Sequence, residues 1–270
     1  MRLVTEYIAC NLNDENSQLP TSNSRCRVWL LPDLQAWRTK RARCGVGSRE
    51  LKTAVLLSAG LDSAVLAAAE ARTSDVHPIY VSAGLVWETQ ELVALGRLLT
   101  AAPFAGLAPL ARLTFTIRDL YPATHWALMG TPPAFDTPDE DVYLTGRNVV
   151  LLSKAGIYCA QHEIHRIALG PLAGNPFPDA TSEFFTTMAR ALSLGLAHEI
   201  AIDAPFVRKD KSEVVRIGVE LGVPLELTLS CMNPQDGRHC GRCSKCRERR
   251  DAFREAGIAD LTSYASQPIR

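Results

Sequence analysis

Four cysteines near the end of the chain have the spacing of a metal site. They fall within sixteen residues, at Cys231, Cys240, Cys243 and Cys246. Gly241 supplies a tight turn between the second and the third. Thiolates at such separations converge on one tetrahedral ion at about 2.3 Å, and a site with four sulfur ligands has no open position. The sequence therefore predicts a structural zinc. An iron–sulfur cluster and four unligated thiols are the alternatives.

A short turn of small and hydroxyl-bearing residues has the features of a phosphate site. It reads, in order, Leu57, Ser58, Ala59, Gly60, Leu61, Asp62 and Ser63. Backbone N–H groups and the dipole at a helix N-terminus attract anions, and the serines add hydroxyl donors. Asp62 would repel a phosphate unless it binds Mg²⁺ or a ribose hydroxyl. The alternative is an ordinary strand-to-helix turn capped by Asp62 or Ser63.

The elements that would position these residues alternate along the chain. Apolar runs predict strands over residues 53–58, 76–83, 110–117, 165–172 and 200–206. Amphipathic stretches predict helices over residues 63–72, 88–102, 148–162, 182–197 and 211–221. This alternation is typical of a Rossmann-like α/β fold, a parallel sheet covered by helices on both faces.

Composition places the chain among globular proteins. It has 270 residues, 47% of them hydrophobic, with 29 basic and 29 acidic side chains. These values exclude a collagen, a coiled coil and wholesale disorder, and zero net charge gives no general basis for binding nucleic acid or anionic membranes. With neither a membrane-spanning run nor a signal peptide, we expect a cytoplasmic location, where the eight cysteines favour metal or redox roles.

The turn resembles the S-G-G-x-D-S signature of the PP-loop ATP pyrophosphatases, with Ala59 in place of a glycine. The turn and the cysteine cluster together resemble the 7-cyano-7-deazaguanine synthase family of queuosine biosynthesis. Three further stretches agree with that family: YLTGRNVVLLS, the run from DAPFVRKDKSE to the Ser-Cys pair at 230–231, and AFREAGIAD. The resemblance covers residues 52–262 and implies an adenine-nucleotide alpha-hydrolase-like domain with a small C-terminal segment that binds zinc through four cysteines.

This resemblance implies an ATP-dependent ligase. A small-molecule carboxylate, 7-carboxy-7-deazaguanine, would be adenylated and converted with ammonia to an amide and then a nitrile, with Mg²⁺ on the phosphates. The implied catalytic residues are Asp62, Lys211 and Arg147, with Lys211 meeting the ATP phosphates. Residues 57–63, Arg147 and Asn148 would contact the nucleotide. Formation of a homodimer is left open as a possibility. Neither nucleic acid nor a membrane is expected as a partner.

The expected division is an N-terminal appendage of unknown role at 1–50, an ATP-binding α/β domain at 51–228 and a zinc-binding segment at 229–270.

Two segments differ from the family at the places where the family binds the base of its substrate. YVSAGLVWETQE replaces a stretch with Gln and Arg, and Ala180-Thr181 replaces a Cys-Arg pair. Loss of charged hydrogen-bonding groups changes which acceptor fits. We therefore expect an altered acceptor pocket, unless a side chain elsewhere compensates: Trp87, Phe177 or Arg190.

Two other functions stay open. One is a paralogue with the same ATP chemistry on another acceptor, such as a different carboxylate, a tRNA base or a protein. The other is a zinc-bearing nucleic-acid-binding module. Its support is two groups of basic residues: Arg38, Lys40, Arg41 and Arg43, and Arg247, Arg249 and Arg250. A bare binding module gives no reason for Asp62 in a phosphate turn, which favours the ligase.

Overall fold

The computed structural model describes residues 51–266, and the elements are numbered within that range. The expected appendage at 1–50 and its basic residues lie outside the described residues. The strands are β1 Lys52–Leu56, β2 Asp75–Ser82, β3 Ala111–Thr114, β4 Arg166–Ala168 and β5 Ala201–Asp203. The helices are α1 Leu61–Glu70, α2 Glu88–Leu98, α3 Trp126–Met129, α4 Arg147–Gln161, α5 Ser182–Leu196, α6 Lys211–Glu220 and α7 Ser244–Ala256.

The five strands form one parallel sheet in the order β3-β2-β1-β4-β5. Alternate residues of the central strand face opposite cores: Ala54 packs in one and Val55 in the other. The prediction of an α/β fold with helices on both faces is confirmed. β2 and β3 lie on one side of β1 in the sheet, and β4 and β5 lie on the other side. The strand order therefore reverses between β1 and β4, and such a reversal opens a crevice at the carboxyl ends of the strands.

Several elements differ from the sequence prediction. β4 ends at Ala168 rather than at residue 172. Gly170 and Pro171 follow, and the strand does not continue through them because proline has no N–H to donate to a neighbouring strand. The short helix α3 and the long helix α7 were not predicted. The buried face of α7 includes Cys246 and Arg249, so its sequence has no continuous apolar stripe. None of the helices within residues 51–266 is long and apolar enough to cross a membrane.

Helix α6 approaches α1 closely because Gly218 has no side chain. A Cβ at this position would lie 2.8 Å from Cγ2 of Val65 and 2.9 Å from Leu225. Asp210 caps α6 in a capping box with Glu213, so that the helix begins at Lys211. This packing brings the start of α6 to the phosphate-like turn at the start of α1, and α7 packs in turn on α6.

A partly buried ion cluster holds β4 to its neighbours. The Arg166 guanidinium donates to Glu70 at 2.5 and 3.0 Å and to Asp203 at 2.6 Å. It also donates to the hydroxyl of Thr53. Burial alone would lower the pKa of Arg166, but the two carboxylates outweigh burial and raise it. The cluster joins α1, β1, β4 and β5 through one side chain.

We expect Arg166→Met to lower the free energy of unfolding by roughly 3 kcal/mol or more, because Glu70 would stay buried without its cation. Urea unfolding measures the change. The control is Arg216→Met, which removes one hydrogen bond to the Glu255 carbonyl oxygen and should cost about 1 kcal/mol or less. Equal losses in the two variants would contradict the role given to the cluster.

Candidate functional site

An open cleft of about 290 Å³ lies at the carboxyl ends of β1, β2 and β4. The turn after β1 forms one wall, and the start of α4 and the loop after β4 form others. Of the residues expected to contact a nucleotide, most line this cleft: Leu57, Ser58, Gly60, Asp62, Ser63, Arg147 and Asn148. Ala59 and Leu61 are buried behind it, with 0% and 1% of their surfaces exposed.

The turn leaves the first N–H groups of α1 without a side-chain partner. Gly60 is the N-cap residue and no side chain caps the helix, so the alternative of a helix capped by Asp62 or Ser63 is wrong. The Ser63 hydroxyl instead donates to the carbonyl oxygens of Ser58 and Gly60. Among the described residues, positive φ outside glycine occurs only at Glu163, Ala197 and Asp236. The methyl group of Ala59 therefore causes no backbone strain.

Asp62 lies in the first turn of α1 with its two carboxylate oxygens in different environments. Oδ2 accepts a hydrogen bond from Lys211 Nζ at 3.0 Å. Oδ1 is buried and has no partner in the described part of the chain. A buried acceptor without a partner is costly unless a cation or donor binds it. The geometry therefore fits a cation at Oδ1 of Asp62, a residue that lines the cleft.

Lys211 does not line the cleft, because its ammonium points at two carboxylates. Its Nζ donates to Asp62 and also, at 2.7 Å, to Oε1 of Glu248 on α7. Burial would lower the pKa of Lys211, but both carboxylates oppose burial and raise it. Lys211 is therefore an ammonium at every physiological pH. Its expected contact with ATP phosphates stays a prediction.

Arg147 and Asn148 begin α4, as expected from the family resemblance. The N-cap residue Gly146 supplies no side chain, and the helix start is held instead by Asp179, whose carboxylate accepts the Asn148 N–H at 2.9 Å. The side-chain amide of Asn148 donates to the Asp179 carbonyl oxygen. Burial raises the pKa of Asp179, while this N–H and the Arg147 charge oppose the rise. Arg147 Nε is buried and has no partner within residues 51–266.

Sequence reasoning missed two buried glutamates that line the cleft, Glu88 and Glu91 on the first turns of α2. Glu88 accepts the Ser82 hydroxyl and the N–H groups of Ala83 and Gly84. Glu91 accepts the Tyr80 hydroxyl at 2.8 Å, and burial raises the pKa of Glu91. Both glutamates lie in the first turn of the helix that follows β2, where acidic residues are common, so nothing in the sequence signalled that they face a cleft.

The two departures from the family fall in different surroundings. Ala180 is buried, and Thr181 caps α5 by accepting the Phe184 N–H. Neither lines the cleft, so the expectation that this pair remodels the pocket is not supported by their position. The WETQE segment does reach the cleft, through Glu88 and Glu91.

The proposed compensating residues divide in the same way. Phe177 lines the cleft and stacks on Tyr143 with ring centroids 5.1 Å apart. Trp87 instead stacks on Trp126 in the core, and Arg190 is exposed on α5. Only Phe177 of the three is placed to touch an acceptor.

The four clustered cysteines converge as their spacing predicts. Each thiol is buried, and their sulfur atoms all lie within 4.8 Å of one another. Three of the separations are 3.9, 3.9 and 3.5 Å, whereas sulfurs around one tetrahedral ion at 2.3 Å would be about 3.8 Å apart. N–H groups of Asn233, Cys240 and Arg242 point at the sulfur atoms, which suits thiolates. The cluster fits a single metal ion.

Residues near the cluster are more enclosed than their sequence indicated. His239, which lies between the cysteines in sequence, is 3% exposed and accepts the Ser230 N–H, and burial lowers the pKa of His239 to about 3. Arg249 is fully buried and donates to Thr228, Thr262 and the Leu225 carbonyl oxygen. This removes a support of the nucleic-acid-binding alternative. Cys159, outside the cluster, is a thiol of the core, and burial raises its pKa to about 12.

These features define an α/β protein with an open cleft at the carboxyl ends of its parallel strands and a buried four-cysteine cluster that fits one metal ion. The chain belongs to the family of the queuosine biosynthesis protein QueC, whose model matches residues 52–257. The 7-cyano-7-deazaguanine synthase of Anaeromyxobacter dehalogenans is 34% identical over 229 residues, covering 81% of this chain and 97% of that protein. The same synthase of Methanoculleus marisnigri is 33% identical over 233 residues, covering 79% and 98%.

A more distant likeness is found among solved structures. The U34-tRNA thiolase NcsA of Methanococcus maripaludis, solved with its 4Fe-4S cluster, is 15% identical with a TM-score of 0.42. The alignment covers 85% of this chain and 84% of that one. A likeness of this size carries no information about the metal or the substrate of this chain.

We expect Cys243→Ser to lose the bound metal and most of the thermal stability of the C-terminal segment, because a closed four-thiolate site contributes on the order of 10 kcal/mol of folding energy. Metal per chain and a melting curve measure both effects. Cys159→Ser, at a buried thiol outside the cluster, is the control and should keep its metal. A Cys243→Ser protein with full metal content would contradict the assignment.

Proposed function

We propose that this chain is an ATP-dependent ligase that converts 7-carboxy-7-deazaguanine to 7-cyano-7-deazaguanine, with ammonia as the nitrogen donor. The observation that carries the proposal is Asp62, whose Oδ1 is buried without a partner among the described residues, at the uncapped start of α1 in a cleft at the carboxyl ends of the strands. Membership of the QueC family and the names of the two relatives support this acceptor and product.

The residues of the turn would bind the ATP phosphates. The free N–H groups of the first turn of α1 and the hydroxyl of Ser58 are donors on one wall of the cleft, and Arg147 adds a positive charge to the same cleft. Asp62 Oδ1 would hold Mg²⁺, which when bound neutralises charge on the phosphate oxygens. With these groups fixed, the α-phosphate is positioned for attack by the acceptor.

The reaction needs positioning and charge neutralisation rather than a protein nucleophile. The acceptor carboxylate attacks the α-phosphate, giving an acyl-adenylate and pyrophosphate, and ammonia then displaces AMP to give the amide. A second activation, at the amide oxygen, allows loss of AMP and a proton to give the nitrile. The thiol of Cys159, buried in the core, is not available for covalent catalysis. A homodimer and a cytoplasmic location stay predictions.

Zinc is the proposed ion of the cysteine cluster. All four ligands are sulfur, and their separations suit one ion rather than an iron–sulfur cluster, whose own width would hold the sulfurs farther apart. A colourless protein with about one zinc per chain is expected. A brown protein that contains iron and sulfide would contradict this proposal.

A second candidate is the same adenylation chemistry on another acceptor. The observation that favours it is the wall formed by Glu88 and Glu91, two buried acidic residues in a segment that departs from the family. Carboxylates in the cleft repel an acidic acceptor and attract groups that donate hydrogen bonds. The acceptor must therefore turn its carboxylate toward the turn and its donor groups toward α2.

We expect Asp62→Asn to abolish formation of AMP and pyrophosphate from ATP, because the amide cannot hold the cation that the carboxylate would hold. The fold and metal content should stay unchanged, since Lys211 keeps Glu248 as a partner. The assay combines 7-carboxy-7-deazaguanine, ammonia and Mg-ATP and scores AMP, pyrophosphate and nitrile.

Asp119→Asn is the matched control, because Asp119 is exposed and does not line the cleft. Wild-type pyrophosphate release from Asp62→Asn would refute the role of Asp62. A wild-type protein that makes no AMP with this acceptor, but does so with another carboxylate, would favour the second candidate function.

The acceptor pocket yields a further prediction. Since one departure from the family reaches the cleft, we expect kcat/KM for 7-carboxy-7-deazaguanine to be roughly ten- to a hundredfold below that of a relative with the full segment, the size of one charged hydrogen bond. A panel of carboxylates assayed side by side measures this ratio. Equal values would show that the acidic wall leaves acceptor binding unaffected.

A further inference from the structure

The ammonium of Lys211 joins the phosphate-like turn to the helix that carries the cysteine cluster. The Lys211 side chain is 12% exposed, and its Nζ lies 3.0 Å from Oδ2 of Asp62 and 2.7 Å from Oε1 of Glu248. The other oxygen of Glu248 accepts Lys245 Nζ at 2.7 Å. Both oxygens of Glu248 are therefore bonded to ammonium groups, so its orientation is fixed within the cluster of charges.

The cysteine cluster determines where Glu248 lies. Helix α7 begins at Ser244, directly after Cys243, and Cys246 lies in its first turn. No side chain caps this helix start. Cys243 precedes it and Cys246 follows it, so a metal ion bound by both cysteines would hold the start of the helix in place. Glu248 follows Cys246 by two residues, so movement of the cluster would move the carboxylate that contacts Lys211.

A second contact ties the same parts together. The N–H of Leu229 donates to the carbonyl oxygen of Ala59 in the turn at 2.8 Å. The segment that carries Leu229 is held by the buried Arg249 of α7, through Leu225 and Thr228. The turn is therefore linked to α7 by two indirect routes, one through the segment that carries Leu229 and one through Lys211.

Sharing Lys211 between two carboxylates changes the charge available at Asp62. An ammonium bound to Asp62 alone would neutralise the Asp62 carboxylate and weaken the binding of a cation at Oδ1. Glu248 draws the same ammonium to 2.7 Å, closer than the 3.0 Å contact with Asp62. More of the negative charge of Asp62 then remains for a cation at Oδ1, which has no other partner in the described range.

We propose that Glu248 is a positioning residue that holds Lys211 away from full pairing with Asp62, so that the cysteine cluster, through α7, sets the affinity of the turn for the divalent cation of ATP. This inference rests on the proposed function, because it takes Asp62 as the cation ligand. Lys211 then acts on the phosphate site through Asp62.

The test compares Glu248→Gln with Glu255→Gln, a change at an exposed glutamate of the same helix. For each protein we would measure kcat, the Mg²⁺ concentration that gives half-maximal AMP formation, Mg-ATP binding by calorimetry and metal per chain. We expect Glu248→Gln to raise the Mg²⁺ requirement roughly tenfold or more, the size of one lost charged hydrogen bond. The change in kcat should be smaller, cluster metal should be unchanged, and Glu255→Gln should match the wild type.

An unchanged Mg²⁺ requirement in Glu248→Gln, or a fall in kcat and cluster metal alone, would overturn the inference. If this variant does not fold, Lys245→Met decides, because without Lys245 the Glu248 carboxylate draws Lys211 more strongly away from Asp62: a lowered Mg²⁺ requirement supports the inference, and an unchanged or raised one overturns it. Calorimetry without acceptor separates the two proposals. A wild type that makes no nitrile, with weakened Mg-ATP binding in Glu248→Gln, would contradict the proposed function alone.

Discussion

The Lys211 ammonium lies between the carboxylates of Asp62 and Glu248, and the geometry of both candidate sites depends on this contact. A buried cation of this kind is stable only while its carboxylates stay within hydrogen-bonding distance. Close approach of α6 to α1 at Gly218 provides one of them. Helix α7, which starts in the cysteine cluster, provides the other. The cysteine cluster is thus connected to the phosphate-like turn, because α7 positions the Glu248 carboxylate against the ammonium that contacts Asp62.

The sheet topology explains why the remaining cleft residues meet. In a parallel sheet the carboxyl ends of the strands share one edge, and the reversal between β1 and β4 leaves space there. Each contributor comes from the segment after a strand: the turn after β1, the start of α2 after β2 and the loop after β4. The start of α4 completes the cleft, held by Asp179 from that last loop. The result is a site with donors on one wall and buried acids on another.

Local features of this molecule were predictable from the sequence, and contacts between distant residues were not. The convergence of the four cysteines and the position of the turn between β1 and α1 were predictable because both depend on residues close together in the sequence. Lys211 and Asp62 are separated by 149 positions, and only the packing of α6 on α1 brings them together. Helix α7 escaped prediction because its buried face carries a cysteine and an arginine instead of an apolar stripe. Glu88 and Glu91 fit an ordinary helix start, and nothing in their spacing indicated that they face a cleft.

The most direct test of the account follows one oxygen atom. If the cleft activates the acceptor by adenylation, then 7-carboxy-7-deazaguanine labelled with ¹⁸O in its carboxylate must leave one labelled oxygen on the phosphate of AMP when ammonia forms the amide. Mass spectrometry of the AMP from a single turnover measures this transfer. We predict labelled AMP together with unlabelled pyrophosphate. Unlabelled AMP, or label in ADP or inorganic phosphate, would contradict the assignment of this cleft as an adenylating site.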